Sequence, residues 1–358
     1  MDHKLRIGWI PASKNRSSAS FRLRVDMIMQ GLRKLGHVCE FYSDSVKFDL
    51  IIVSKKYDTA TLSAIESSKI KNPACRVVFD LCDNHFYTDT EDPGQLQSHT
   101  IRVDALKRAL ALADAVTTSS GYLAEVVAKN CDIDQSAIYT IDDCFEPEQQ
   151  PARRLNIRRL IAEIRLEWLK WRLKIINCPK DRFVWFGTHG VSYAQGGMFD
   201  LLECQLDLNE AFCDSSRTLT IISNSYWKYR EISKKLNIKT FYLPWSQYTI
   251  NRALRMHQFF LLPIKATPFT SAKSTNRPVT ALQNGLQVIC DIIPAYEKLR
   301  DYLIAPVNDK AFKCAINMTT EEHSRRSNAA KAHVQTEYSA ARIAQDWESA
   351  LLAIYTRN

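Results

Sequence analysis

The sequence predicts an α/β protein that contains two doubly wound, Rossmann-like domains. Short apolar runs, typical of buried parallel strands, alternate with helical patterns along most of the 358 residues. The alternation stops at the polar stretch 146–150, which Pro147 and Pro151 bound, and it resumes at Arg182. A chain of this length is also too long for one ordinary hydrophobic core, so two domains are expected.

The predicted elements follow this alternation from end to end. In the first half, strands are predicted at 5–10, 37–42, 49–54, 76–80, 115–119 and 137–142, with helices at 20–34, 59–68, 101–113 and 121–130. In the second half, strands are predicted at 182–186, 218–223, 240–243, 259–262 and 286–290, with helices at 199–212, 226–236, 249–256 and 277–283. A long helix at 153–176 joins the halves, and a last helix covers 340–355.

Charge and cysteine usage narrow the class of protein. The net charge of +9 suits an anionic partner: a nucleotide, an anionic membrane surface or a nucleic acid. The ten cysteines are scattered without a C-x-x-C pair, which favours free thiols in a reducing compartment. The first residues lack the apolar core of a secretory signal, and no run is apolar enough to span a membrane. A cytoplasmic protein is therefore expected.

The sequence gives no indication of a bound metal. Asp132 and Asp134 form a D-x-D pair, but they follow a helix and are interpreted as a solvated turn. No His/Cys cluster has the spacing of a zinc site, and the P-loop pattern does not occur. We therefore expect neither a metal nor another cofactor.

The loop and helix start at 273–277 form the most informative segment. Lys273 and Arg277 bring two cations to a helix start, where free N–H groups and the helix dipole also favour anions. Asn276 lies in the same loop, and Ser274 or Thr275 can cap the helix and donate a hydroxyl. Ligands of open α/β sheets collect where strands give way to helices, as they do here. The segment predicts a seat for a diphosphate, and a solvated basic loop is the alternative.

Two further segments carry candidate site residues. Gly187 and Thr188 follow the predicted strand 182–186, in a glycine-containing turn whose backbone amides can approach an anion. Arg22 lies within the positive end of the first helix, and Asp83 and His85 follow the fourth strand. A carboxylate or imidazole at that place can take a proton from an acceptor hydroxyl or hold the acceptor ring. The alternatives are a tight turn, a basic surface loop and a hydrogen-bonded surface histidine.

These motifs resemble those of GT-B glycosyltransferases of polysaccharide biosynthesis, nearest the retaining family 4, or group 1, enzymes. The donor-binding element of that family reads close to K-S-x-N-R … A-L-x-x-G-L-x-V … I-P-x-Y. This chain fills that element with Ser274, Asn276, Arg277, Ala281, Gly285, Val288, Pro294 and Tyr296. The stretches 19–24, 78–86 and 184–190 fall in the order that the family needs. The larger retaining family has two glutamates before the glycine, where this chain has Ala272 or Lys273 and Thr280.

The resemblance implies a GT-B architecture, in which two Rossmann-like domains face a central cleft. It implies an acceptor domain at 1–150, a linker helix at 151–178, a donor domain at 179–338 and a helix at 339–358 that crosses back. In such folds the loop carrying Pro244 and Trp245 often holds the nucleotide base. The candidate catalytic residues are Asp83, His85 and Arg22, and the candidate donor-diphosphate residues are Lys273, Ser274, Asn276, Arg277, Gly187 and Thr188.

The function implied is transfer of a sugar from a nucleotide-sugar donor to a hydroxyl of a glycan or lipid-linked acceptor, with retention and without a metal. Two alternatives stay open. One is a glycosyltransferase acting on modified DNA bases, which the net charge allows. The other is a non-catalytic GT-B-like protein that binds nucleotide sugars, which the missing glutamate pair allows.

The predicted helix at 153–176 is basic and amphipathic. Its apolar positions, Trp168 and Trp171 among them, recur at helical spacing, and its only acids are Glu163 and Glu167. Such a helix is typical of proteins that lie on an anionic bilayer, here the inner face of the membrane. A helix packed on a domain, with a solvated basic face, is the alternative.

Overall fold

The chain forms two compact units of α/β structure. The computed structural model describes residues 4–148, 157–188, 190, 194, 196–213 and 216–357. The first unit contains Met1–Phe145, Ser271–Thr275 and Thr336–Asn358, and the second contains Glu146–Thr270 and Asn276–Gln335. The short segment Ser271–Thr275 therefore belongs to the first unit, whereas the predicted boundaries placed it in the donor domain. The start of the predicted linker, with Arg153 and Arg154, lies outside the described residues.

The first unit is built on a six-stranded parallel sheet. Its strands are β1 (Arg6–Pro11), β2 (Val38–Phe41), β3 (Leu50–Ser54), β4 (Arg76–Leu81), β5 (Ala115–Thr118) and β6 (Ile138–Thr140). Their order is β2-β1-β3-β4-β5-β6. β2 lies on one side of β1, and β3 to β6 lie on the other side. The direction in which successive strands are added therefore reverses between β1 and β3. Ligands of doubly wound sheets bind at such a switch point, beyond the carboxyl ends of the strands.

Helices cover both faces of this sheet. They are α1 (Ala19–Phe21), a π-helical stretch (Arg22–Asp26), α2 (Met27–Lys34), α3 (Thr59–Lys71), α4 (Pro93–Ala111) and α5 (Gly121–Asn130). Side-chain caps define several starts: the Asp58 carboxylate accepts from the Thr61 N–H at 2.9 Å, and Asp92 caps Gln95 at 2.8 Å. Because Asp92 caps the helix and Pro93 opens it, α4 begins well before the predicted residue 101.

The second unit is built on another six-stranded parallel sheet. Its strands are β7 (Arg182–Phe186), β8 (Thr218–Ser223), β9 (Thr240–Pro244), β10 (Phe259–Leu262), β11 (Gln287–Cys290) and β12 (Leu303–Ile304). Their order, β12-β11-β10-β7-β8-β9, is that of dinucleotide-binding domains. The switch point lies between β7 and β10.

Further helices follow in sequence from residue 157. They are α6 (Ile157–Ile176), α7 (Gln205–Ala211), α8 (Tyr226–Leu236), α9 (Ile250–Leu254), α10 (Pro268–Ser271), α11 (Asn276–Gln283), α12 (Asp309–Ile316), α13 (Thr320–Glu337) and α14 (Ala340–Thr356). Four 3₁₀ segments, Gln135–Ala137, Pro179–Asp181, Gly197–Leu202 and Pro294–Tyr302, complete the elements. Four of these elements, β12, α10, α12 and α13, were not predicted from the sequence.

The last helix, α14, packs in the first unit against α2. A Cβ added at Gly31 would lie 2.5 Å from the Ala344 Cβ, so the two helices touch where α2 has no side chain. The Trp347 ring lies 5.9 Å from that of Trp9 in the core. The predicted fold class, two doubly wound α/β units, is confirmed.

All ten cysteines are unpaired. Over the described residues, no helix is long and apolar enough to cross a membrane. Within that same part of the chain, no group of three or more His, Cys, Asp and Glu side chains is placed to hold a metal ion.

Candidate functional site

In the first unit, a cluster of charged side chains lies at the carboxyl edge of β3 and β4. Lys55 directly follows β3, and its ammonium pairs with the Asp83 carboxylate. The Lys273 ammonium lies 2.5 Å from the other Asp83 oxygen. Burial raises the pKa of Asp83, but the charges of Lys273 and Lys55 outweigh it and hold that pKa far below its usual range. Asp83 is therefore an anion that fixes two ammonium groups.

Lys55 was not singled out in the sequence analysis, although its place was visible. It follows an apolar strand at the predicted edge of the sheet, and its backbone has a φ of +54°. A non-glycine residue in this left-handed region is uncommon and is concentrated at functional sites. The Lys55 N–H donates to the Asp80 carbonyl at 3.0 Å, which holds this conformation.

His85 lies in the same cluster and is buried. Its Nδ1 is 3.0 Å from the Tyr57 hydroxyl. Burial, and then the charge of Lys55, lower the pKa of His85 to about 3. The imidazole is therefore neutral near pH 7, where it can exchange hydrogen bonds with a ligand but is a weak base.

A buried ion network below this cluster holds the segment Ser271–Thr275. Arg24 donates to Asp80 at 2.6 Å and lies 3.4 Å from Asp143. Burial raises the pKa of Asp143, and Arg24 opposes this. The Ser274 hydroxyl donates to Asp143 at 2.6 Å. This bond to a buried carboxylate helps to hold the segment in the first unit, and the predicted role of Ser274 as a helix cap stays a prediction.

Arg22 begins the π-helical stretch and is buried rather than extended toward solvent. Its Nη1 donates to the Arg16 carbonyl at 2.8 Å, so this guanidinium ties down the loop after β1. That loop leaves the switch point of the first sheet. π-Helical turns occur frequently at functional sites.

In the second unit, Arg277 reaches the switch point between β7 and β10. It is the second residue of α11, and its Nη1 lies 3.5 Å from the position of a Cβ built on Gly187, the residue after β7. A Cβ there would be tight against the Trp185 ring, at 3.1 Å, whereas its distance to the guanidinium is an ordinary contact. The structure thus brings Arg277 and Gly187 together, as predicted for a diphosphate seat, with Asn276 opening the same helix.

Among the described residues after β7, Gly197 lies close to Thr188 and Gly190. Gly190 and Gly197 have φ values of +114° and +78°. A Cβ at Gly197 would lie 2.8 Å from the Thr188 carbonyl oxygen, so no larger residue fits. His189 lies outside the described residues.

Two buried polar groups surround Arg277. Asp200 accepts from the Gly197 N–H at 3.0 Å. Burial raises the pKa of Asp200 to about 6, against the opposing charge of Arg277. The Tyr296 hydroxyl is fully buried and has no hydrogen-bond partner among the described residues. Burial raises its pKa, and Arg277 again opposes this. Tyr296 belongs to the donor-binding pattern named from the sequence, whereas Asp200 was not foreseen, because it has no distinguishing motif.

The residues predicted to hold a base lie at the end of β9. Pro244 is the last residue of that strand. The next residue, Trp245, is half-buried, and its backbone N–H donates to the Ser223 carbonyl at 2.9 Å. The Tyr226 ring, at the start of α8, lies 5.4 Å from the Tyr242 ring. Tyr226 was not singled out from the sequence, although its place as the first residue of a helix that follows a strand was a usable signal.

Comparisons with known proteins bear on the fold. No protein-family description matches this sequence, and no curated protein matches it. Anabaena Alr3699/HepE in complex with UDP and glucose is similar with a TM-score of 0.63 at 12% identity, covering 98% of this chain and 100% of that one. A glycosyltransferase from Rickettsia africae gives 0.60 at 12%, covering 99% and 100%. An E. coli structure described as trehalose-6-phosphate bound with UDP-2-fluoro glucose gives 0.57 at 13%, covering 87% and 74%.

Identities this low establish the fold alone. This chain, with two six-stranded parallel sheets flanked by helices, matches the two-domain α/β fold of these structures. The chain therefore has the two-unit α/β fold called GT-B.

Proposed function

We propose that this chain is a glycosyltransferase that moves a sugar from a nucleotide-sugar donor to a hydroxyl of a glycan or lipid-linked acceptor. The observation that carries the proposal is Arg277 beside Gly187 at the switch point of the second sheet. Doubly wound sheets bind nucleotides at this place. Structures of similar fold are described with UDP or UDP-glucose, which makes a uridine donor the first to test.

The second unit would bind the donor. Glycosyl transfer expels a nucleoside diphosphate, so negative charge grows on its phosphates in the transition state. Arg277, the start of α11 at Asn276 and the backbone amide of Thr188 offer fixed positive charge and donors there. The Gly187 N–H is already used, since it donates to the Ile222 carbonyl at 3.1 Å, so Gly187 would contribute its small size and not a donor. We propose that these groups stabilise the leaving diphosphate without a metal. Pro244 and Trp245 would then hold the base.

The first unit would serve the acceptor. Lys55, Lys273 and Asp83 together carry one net positive charge, beside the neutral His85. The low pKa of Asp83 and of His85 makes both of them poor proton acceptors from a hydroxyl. We propose that they position the acceptor, and that an oxygen of the leaving diphosphate takes the proton of its hydroxyl, a route that is compatible with retention of configuration.

The test is turnover of a panel of UDP-, GDP- and ADP-sugars, with hydrolysis or transfer as the readout. Arg277→Ala should lower kcat/KM by about 10²–10³-fold, the range seen when one fixed donor to a developing anion is removed. Arg255→Ala is the matched control, since this half-exposed arginine of the same unit pairs with Glu148 at 2.7 Å. Full turnover by Arg277→Ala would remove the site assignment.

The same panel separates the alternatives. Nucleoside-diphosphate binding without any turnover would favour the non-catalytic binding protein. Salt-sensitive retention of a DNA duplex, with glucosylation of modified bases, would favour the DNA-modifying enzyme.

A further inference from the structure

Helix α6 has two apolar sides, and protein covers only one of them. The inner side carries Ala162, Leu166, Leu169 and Leu173, all buried in the second unit. The outer side, called here the outer face of α6, carries seven large apolar residues with exposed fractions from 43% to 75%: Ile157, Leu160, Ile161, Ile164, Trp168, Trp171 and Ile175. Soluble proteins rarely expose so large a contiguous apolar patch unless it contacts a partner or a membrane.

The outer face is a straight strip. At 3.6 residues per turn, its residues fall on the side of the helix opposite the four buried positions. The strip follows all 20 residues of α6, a length of about 30 Å. It therefore points away from the core of the second unit instead of filling a gap within it.

Contacts with the second unit fix α6 in this orientation. Arg252 on α9 pairs with Glu163 at 2.5 Å. The Arg172 guanidinium lies 4.5 Å from the ring centres of both Trp168 and Phe241, so it is held between the outer face and β9. A partner would thus meet a preset surface, with Trp168 already positioned.

Basic residues border the outer face. Arg158, Arg165 and Arg172 follow one another at seven-residue intervals along one flank, and Lys170 and Lys174 lie on the other side. With six basic and two acidic side chains, α6 has a net charge of +4. Long basic side chains beside a Trp-containing apolar strip are typical of helices that lie in the interface of an anionic bilayer.

We propose that the outer face of α6 docks on a bilayer that contains anionic lipids. Its apolar side chains would enter the boundary between headgroups and acyl chains, and its arginines and lysines would pair with headgroup phosphates. This holds whether or not the proposed transferase activity is correct, because the surface is separate from the donor seat in sequence and chemistry.

A second copy of the chain is the competing occupant, since the spacing of the strip also suits a pair of helices. Charge argues against it. In an antiparallel pair, Arg158, Arg165 and Arg172 would face their own copies, and like charges in an interface are unfavourable. In a parallel pair, these arginines would face the opposite flank of the other copy. Glu167 is the one acid on that flank that could offset their positive charge. Negative headgroups complement the whole border instead.

The experiment is vesicle co-sedimentation of the full chain. Wild type is compared on phosphatidylcholine vesicles and on vesicles that also contain phosphatidylglycerol, at low and high salt. Binding to the anionic vesicles should be at least about tenfold tighter and should weaken with salt. The double variant Ile164→Ser, Trp171→Ser should lose at least about tenfold in affinity. Trp227→Ser is the matched control, since this residue of α8 is 80% exposed and should bind as wild type.

A second double variant, Ile157→Ser with Ile175→Ser, changes the two ends of α6 and should also weaken binding. It keeps the test valid if the first double variant does not fold. Wild type that ignores anionic vesicles, or that binds neutral ones equally well, overturns the proposal. Unchanged binding by both double variants does so too. A wild-type dimer in light scattering that the variants convert to a monomer would assign the face to a second copy. UDP binding by the same samples reports separately on the donor seat.

Discussion

Asp83 shows how one carboxylate can hold two ammonium groups together. It accepts from Lys55 and Lys273, which lie far apart in the sequence. The sequence indicated that Asp83 and His85 follow a strand and that Lys273 lies near a helix start. It could not indicate that Lys273 pairs with Asp83, because this pairing depends on where the segment Ser271–Thr275 packs. A contact between distant residues leaves no local pattern.

Asp200 gives a pH-dependent prediction. Burial raises its pKa from 3.8 to about 6, so the folded chain holds this proton more tightly than the unfolded chain does. The contribution to stability is full below pH 3.8 and is lost as the pH rises through 6. Asp200→Asn, which stays neutral, should therefore gain about 2 kcal/mol relative to wild type between pH 4 and pH 8.

Urea unfolding of both proteins across that pH range measures the difference. The exposed Asp301→Asn, in the same unit, is the control and should show no such gain. A gap between wild type and Asp200→Asn that stays constant with pH would show that Asp200 is not held in the neutral form.

At the scale of elements, local signals predicted most strands and helices. β7, β8, β10, α5 and α8 have the predicted bounds, because apolar runs and caps are coded within each segment. α13 was missed because its sequence is polar over most of its length and offers little apolar periodicity. The side of α6 that faces the unit could not be predicted either, since the helix is apolar on two sides.

The contact between α2 and α14 gives a prediction at this scale. Gly31→Ala would place a Cβ 2.5 Å from that of Ala344, so one helix must shift. The free energy of unfolding should fall by about 1–3 kcal/mol, the usual effect of overpacking.

Gly121→Ala is the matched control, because nothing lies within 4 Å of a Cβ at this helix position. It should be neutral or slightly stabilising, since alanine favours helices. Equal stability of the two variants in denaturant unfolding would contradict the close packing of α14 on α2.

At the scale of the whole molecule, the two doubly wound units were predictable because strands and helices alternate on both sides of a polar break. The candidate site was predictable in part. The sequence pointed to Arg277 and Gly187, which the fold brings together. It grouped Lys273 and Ser274 with them; the side chains of both bond to carboxylates of the first unit, and their part in a diphosphate seat stays a prediction. A unit boundary lies between Thr275 and Asn276, so Lys273 and Ser274 belong to one unit and Arg277 to the other. A local sequence pattern does not reveal such a boundary.

The central claim is that the switch point of the second unit binds a nucleoside diphosphate through Arg277. Titration calorimetry with UDP on wild type, Arg277→Ala and the control Arg255→Ala tests it most directly. Wild type and Arg255→Ala should bind alike, and Arg277→Ala should bind about 10–100-fold more weakly, as expected for the loss of charge-assisted hydrogen bonds. Equal affinity of Arg277→Ala and wild type for UDP, with both proteins folded, would contradict the account.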